Sequence, residues 1–220
     1  RQGEIPRHEV FYYLELLRRL GIIPALPAEA IPRLRLSEET RARGREVLAE
    51  AGLSGRIVAI APGSANSRAK QWAPERFVAA ARETAETLGA AVAIFGTPQE
   101  RELAAGIEAS LAAEGVKVCS LAGRTPLRDF ICAIANVSVL ITNDSGGMHV
   151  AYAAGVPTVA IFGPTIPEAT GPLGPHTRIV REPVECSPCM LKDCPIDHRC
   201  MTAISPERVA RVASDLVRLQ

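Results

Sequence analysis

An α/β fold built on a doubly wound parallel sheet is predicted by three observations. Short apolar runs of strand length alternate along the chain with amphipathic segments of helix length. The runs are continuously apolar, as in strands covered on both faces. Several of them end in turns that carry glycine, at the edge where parallel sheets bind ligands.

The composition suits such a core. With 220 residues, 47% of them apolar and 22% charged, the chain is long enough for one domain and an appendage. A net charge of +1 with dispersed Lys and Arg gives no basic stripe for nucleic acid, and 4% aromatic residues give no base-stacking surface. No apolar run approaches bilayer length and no signal peptide is recognisable. A cytoplasmic protein with at most peripheral membrane contact is expected. The chain begins at Arg1 rather than Met, which leaves a missing N-terminal part open.

Taken in order, Val10 to Leu20 has apolar residues at helical spacing and is closed by Gly21. Leu26 to Leu36, with Pro27 and Pro32, reads as an extended linker. Residues 1–36 are therefore expected to end a preceding domain. Ser37-Glu-Glu-Thr40 opens a helix that runs to Gly52. A buried strand follows over Arg56–Ala61, ending in Pro62-Gly63-Ser64-Ala65-Asn66, and then Trp72 to Leu88 as a helix begun at Pro74-Glu75. Ala90–Phe95 and Val116–Leu121 are the next strands, with helices over Glu100–Glu114 and Leu127–Ala135. Val137 to Ile141 and Thr158–Phe162 enclose a short Ala-rich helix. Arg178–Val180 is a last strand, and Ser205-Pro206-Glu207 starts a final helix towards Leu219. Residues 37–204 thus form the main domain, with 205–220 as its C-terminal helix. The order of strands is not legible.

The stretch 137–165 organises the rest. After its first strand, Asn143-Asp144-Ser145-Gly146-Gly147 stops the chain and starts a helix. Asp144 is expected as the cap accepting from first-turn amides, leaving other amides and the helix dipole to attract an anion. Ser145 adds a hydroxyl, Gly146 and Gly147 allow close approach, and His149 can face the same cleft. On a plainer reading Asp144 only caps, the glycines only permit packing, and His149 is an ordinary half-buried histidine. Pro62-Gly63-Ser64, Gly96-Thr97-Pro98 and Asn143-Asp144-Ser145-Gly146 are expected to converge on one ligand site. Lys70, just past the first turn, can neutralise a pyrophosphate or be a solvated surface lysine. Glu100 can cap its helix or hold ribose hydroxyls.

Two segments in this order, Thr142-Asn-Asp-Ser-Gly-Gly-Met-His-Val-Ala151 with Pro157-Thr-Val-Ala-Ile-Phe-Gly-Pro-Thr165, and Pro62-Gly63-Ser64 leading to Ala69-Lys-Gln-Trp-Ala-Pro-Glu-Arg-Phe77, carry a resemblance. The chain resembles the lipopolysaccharide heptosyltransferases of glycosyltransferase family 9, the heptosyltransferase II branch above all, over residues 56 to 219. The resemblance implies a GT-B architecture of two Rossmann-like domains, with this chain as the C-terminal, donor-binding one. It implies an inverting transfer from ADP-L-glycero-D-manno-heptose to the inner core of lipopolysaccharide on lipid A, without a catalytic metal. It further implies that Ser64 and Ser145, with the amides of Gly146 and Gly147, hold the diphosphate, that Gly63 is also donor-binding, and that Lys70 and Asp144 lie at the phosphate and heptose. Glu100 would lie at the ribose, Thr125 at the adenine, and His149 at the phosphate end. The catalytic aspartate of the family comes from the N-terminal domain, so no catalytic residue is expected within this chain. Gly147 stands where a bulkier residue is common. Consistently, the sequence contains no Asp-x-Asp pair to hold a divalent ion.

Cys119 and Cys132 read as core residues. Cys186-x2-Cys189-x4-Cys194-x5-Cys200 falls in one loop, 186–200, with His198 able to replace one of these ligands, and a structural Zn²⁺ is the first expectation. Two disulfides, an iron–sulfur cluster and free thiols are the alternatives. Two other functions remain in play. One is a transferase or epimerase for another nucleotide sugar, the other a non-catalytic nucleotide-binding module. A dinucleotide dehydrogenase is disfavoured because Pro62-Gly-Ser-Ala-Asn66 is no Gly-x-Gly-x-x-Gly turn.

Overall fold

A computed structural model describes residues 6–65 and 67–219. Asn66, at the end of the first glycine turn, lies outside them. Six strands, β1 (Ile57–Ala61), β2 (Ala91–Ile94), β3 (Val118–Ser120), β4 (Val139–Asn143), β5 (Thr158–Ile161) and β6 (Thr177–Val180), form one parallel sheet in the order β3-β2-β1-β4-β5-β6. Each expected strand is present within two residues of its expected ends. The chain order reverses between β1 and β4, which pair from Val58–Val139 to Ala61–Thr142. A ligand crevice belongs outside the carboxyl ends at such a reversal.

Helices cover both faces, which is why the strands are apolar throughout. Val58, Ile60, Val92, Ile94, Val139 and Ile141 point to one layer, made by α3 (Pro74–Leu88), α4 (Arg101–Ala113) and α9 (Pro206–Arg218). The intervening Ile57, Ala59, Ala91, Ala93 and Leu140 point to the other, made by α2 (Glu38–Glu50), α5 (Leu127–Ile134) and α6 (Gly146–Ala153). Successive residues thus serve opposite cores. Two single-turn helices, α7 (Pro167–Thr170) and α8 (Arg199–Thr202), were not expected from periodicity, which needs more than one turn to be visible.

α2 and α5 approach most closely at Gly44. A Cβ there would collide with the Cys132 carbonyl oxygen, and Asn136 fills the same contact by donating to the carbonyls of Arg41 (3.1 Å) and Cys132 (2.8 Å). Because the obstacle is backbone, the helices must separate. Gly44→Ala is expected to cost about 2–3 kcal/mol, measured as a lowered urea midpoint at unchanged slope.

Residues 6–36 stand apart in character. α1 (Glu9–Arg19) is capped by His8, whose Nδ1 accepts from the Val10 amide, so its Nε2 donates to the Gly171 carbonyl at 2.9 Å. Tyr12, Tyr13, Leu16, Leu20 and Ile22 are exposed, whereas Glu15 is buried beneath Arg18 and Arg19. Hydrogen bonds from those guanidinium groups hold the Glu15 carboxyl at about 2. The chain from residue 23 to 37 then has no regular structure.

Candidate functional site

The carboxyl ends of β1, β2 and β4 and the starts of α5 and α6 enclose a cavity of about 450 Å³, a size that suits a nucleotide. Ala61, Phe95, Pro98, Leu127, Phe130 and Val150 form its apolar wall. Phe95 and Phe130 meet edge to face, 5.3 Å between centroids. The polar rim brings together Gly63, Ser64, Thr97, Glu100, Thr125, Ser145, Gly146 and Gly147. The three glycine-bearing turns do converge, because the chain reversal puts the β1 and β4 ends side by side. A second hollow, about 460 Å³ between α3 and α9 and lined by Glu83, Glu207, Arg208 and Arg211, lies away from the strand ends.

Glu100 takes the capping role and also stands at the cavity. Its Oε2 accepts from the Thr97 amide at 2.7 Å, fixing the 3-10 turn Pro98–Glu100, while its carboxylate lies against Gly63 and borders the cavity. A Cβ at Gly63 would have to displace that carboxylate. Gly146 and Gly147 open α6, so their amides have no acceptor within the helix.

Asp144 departs from expectation. The cap residue of α6 is Ser145, with no side-chain capping bond. Asp144 turns the other way, because better partners lie there. Its Oδ2 accepts from Thr165 Oγ1 at 2.9 Å and pairs with Lys70 Nζ at 2.8 Å, and only 6% of the residue is exposed. Lys70 is therefore no free surface cation but one half of an ion pair, and neither partner is among the cavity's lining residues. His149 is not among the cavity's lining residues. One turn into α6 it falls on the Asp144 side, with Nδ1 3.5 Å from the Tyr152 hydroxyl. Burial pushes its pKa down, against an upward pull from Asp144, so the neutral ring is favoured.

Sequence reasoning missed Asn143 and Thr165. Asn143 is fully buried at the end of β4. Its Nδ2 donates to the Pro62 carbonyl at 2.7 Å, and its Oδ1 accepts from the Trp72 amide at 3.1 Å. One side chain thus ties the β1 turn to the segment that follows Lys70. The available signal was a polar residue closing an otherwise apolar strand. Thr165 follows Gly163-Pro164 after β5, a fourth strand end that the three-turn argument left out.

The cysteine-rich loop does not meet the zinc expectation. Among the described residues no group of three or more His, Cys, Asp or Glu side chains is placed to hold a metal ion, and all six cysteines are unpaired. Cys186, Cys189 and Cys194 are close enough for their charge to reinforce burial in raising the Cys200 thiol, but they do not surround a point. His198 is engaged elsewhere, its Nε2 bonding the Ala69 carbonyl at 2.6 Å. The donor set as placed does not fit the ion. The loop instead buttresses the site. Lys192 accepts at its carbonyl from the Ala69 amide (2.9 Å) and Ser67 Oγ (3.2 Å), and Ser187 Oγ donates to the Gly163 carbonyl (2.6 Å). It thereby supports both the turn bearing Lys70 and the turn bearing Thr165.

Fold and cavity together define a Rossmann-like α/β unit with a crevice outside the carboxyl ends of its strands, where such sheets bind ligands. Comparison with known proteins gives the family. The model of glycosyltransferase family 9 (heptosyltransferase) matches residues 3–199, and the chain belongs to that family. The lipooligosaccharide heptosyltransferase 2 of Campylobacter jejuni is 34% identical over 166 residues, 74% of this chain and 51% of that protein. The lipopolysaccharide heptosyltransferase 2 of Escherichia coli is 35% identical over 126 residues, 57% of this chain and 36% of that protein. Among solved structures, Escherichia coli ADP-heptose lipopolysaccharide heptosyltransferase II superposes with a TM-score of 0.70 at 29% identity, over 88% of this chain and 56% of that one. A family 9 glycosyltransferase from Veillonella parvula gives 0.79 at 28% identity, over 97% and 61%. The chain thus has the fold of one Rossmann-like half of a GT-B glycosyltransferase and spans about half the length of the first of these relatives. Among the described residues no helix is long and apolar enough to cross a membrane.

Proposed function

We propose that this chain is the donor-binding half of an inverting heptosyltransferase that takes ADP-L-glycero-D-manno-heptose and acts on the inner core of lipopolysaccharide. The reading is supported most by one observation: a nucleotide-sized cavity with an apolar wall is rimmed by the start of α6, whose preceding residue in the chain, Asp144, pairs with Lys70. The base lies against Phe130 and Leu127 near Thr125. The ribose hydroxyls meet Glu100, and the diphosphate meets Ser64, Ser145 and the amides of Gly146 and Gly147.

Transfer requires the anomeric carbon–oxygen bond to break with its electrons passing to the diphosphate. Fixed donors aimed at that oxygen stabilise the developing charge without reorganising. Lys70 supplies the positive charge, and neutral His149 is a donor for a phosphate or sugar hydroxyl. The acceptor hydroxyl loses its proton to an aspartate contributed by an N-terminal domain, by analogy with the family. The exposed stripe Tyr12, Tyr13, Leu16 and Leu20 beside a buried Glu15 supports assigning residues 1–36 to the end of that domain and its linker. The work of the whole enzyme belongs at the cytoplasmic face of a membrane that holds the lipid acceptor.

Calorimetric titration with ADP and with UDP tests this reading. ADP is expected to bind at least tenfold more tightly, because the apolar wall accepts a purine and gives a pyrimidine less contact. Equal or tighter binding of UDP contradicts it.

A further inference from the structure

Lys70 cannot serve a diphosphate while it is wholly committed to Asp144. The two lie 2.8 Å apart, and Asp144 is almost entirely buried. A buried carboxylate deprived of its cation is costly unless other donors hold it. Thr165 is such a donor. Its own side is buried too, 6% exposed, and its hydroxyl donates to the oxygen that Lys70 uses. The hydroxyl sits on a turn fixed from behind by Ser187 at the Gly163 carbonyl and by the Met190 amide at the Pro164 carbonyl (2.8 Å).

We propose that Thr165 is a positioning residue for nucleotide binding: its hydroxyl keeps Asp144 oriented and satisfied while Lys70 shifts part of its charge to the incoming diphosphate. The inference rests on the ADP-site reading above. With the hydroxyl gone, Lys70 is the only remaining partner of that carboxylate oxygen among the described residues. Each step of Lys70 toward a phosphate then strips the carboxylate further.

The test is ADP titration of the full 220-residue chain carrying Thr165→Val or Thr165→Ser, each also combined with Asp144→Asn. A hydrogen bond to a charged group is worth enough to change affinity about tenfold or more. Thr165→Val is expected to weaken ADP binding by about that factor, and Thr165→Ser to restore it to within about threefold. In the Asp144→Asn background Thr165→Val is expected to add nothing, since the charge it protects is absent. Thermal midpoints accompany each titration, and Thr165→Ala replaces the valine variant should that one fail to fold. Wild-type-like binding by Thr165→Val, failure of serine to rescue, or an undiminished loss in the Asp144→Asn background each overturns the inference. If wild type itself binds no ADP, the nucleotide-site reading falls and takes this one with it. If wild type and Thr165→Val bind equally, only the role of Thr165 falls.

Discussion

Lys70→Ala is expected to lower ADP affinity at least a hundredfold and to destabilise the fold as well. The two effects have one origin. In the free chain Lys70 compensates Asp144, which is 6% exposed, and on the proposed function it compensates the diphosphate once the ligand is bound. Charge-assisted bonds to phosphate are roughly twice as strong as neutral ones, and losing about 3 kcal/mol of them is a factor of a hundred. On the folding side, removing one partner of a fully buried ion pair costs about 3–5 kcal/mol. Lys70 retains 28% of its side-chain exposure, and Thr165 remains to hold the carboxylate, so about 1–2 kcal/mol is the expected loss here. Calorimetry gives the first number and urea denaturation the second. Lys70→Arg separates charge from shape. It keeps the fold but not the full affinity, because a planar guanidinium cannot take the single position of an ammonium.

Asn143→Ala is expected to be the most destabilising single change near the site, at about 3–4 kcal/mol. The side chain is fully buried and spends donor and acceptor alike, on the Pro62 carbonyl and the Trp72 amide. Truncation leaves both backbone groups without their partner and opens a void beside Trp72, itself 1% exposed. Asn143→Asp is no rescue. It is nearly isosteric and still accepts from Trp72, but it sets an anionic oxygen against the Pro62 carbonyl. Chemical denaturation of both variants checks this, and residual folded protein should bind ADP weakly because the turns bearing Ser64 and Lys70 are no longer tied together.

Local chemistry carried most of the fold. Apolar runs such as Ile57–Ala61 and caps such as Ser37 and Ser205 act within a few residues, so strands and long helices lay within two residues of their expected positions. Strand order was not legible, because pairings such as Val58 with Val139 join residues far apart in sequence. The same limit governs the site. The convergence of the turns bearing Gly63, Ser64, Ser145 and Gly146 with the one before Glu100 followed from the rule that parallel strands present their carboxyl ends together, whereas Thr125 was expected there from the family resemblance alone. The direction of Asp144 did not follow, because it is decided by Lys70 and Thr165, which reach it from separate loops. The cysteine-rich loop was read from its spacing alone. Its hydrogen bonds to Ser67, Ala69 and Gly163 span distant segments, and these explain its place better than an ion does.

The central claim is that strand-end turns and the start of α6 form one pocket for an adenosine diphosphate. Amide chemical-shift mapping during ADP titration of the isotope-labelled chain tests it most directly. The account predicts saturable shifts confined to Gly63, Ser64, Thr97, Thr125, Ser145, Gly146 and Gly147, with Lys70 and Thr165 following as their shared carboxylate is rebalanced. Shifts centred on the hollow between α3 and α9, or no saturable shifts at all, would contradict it.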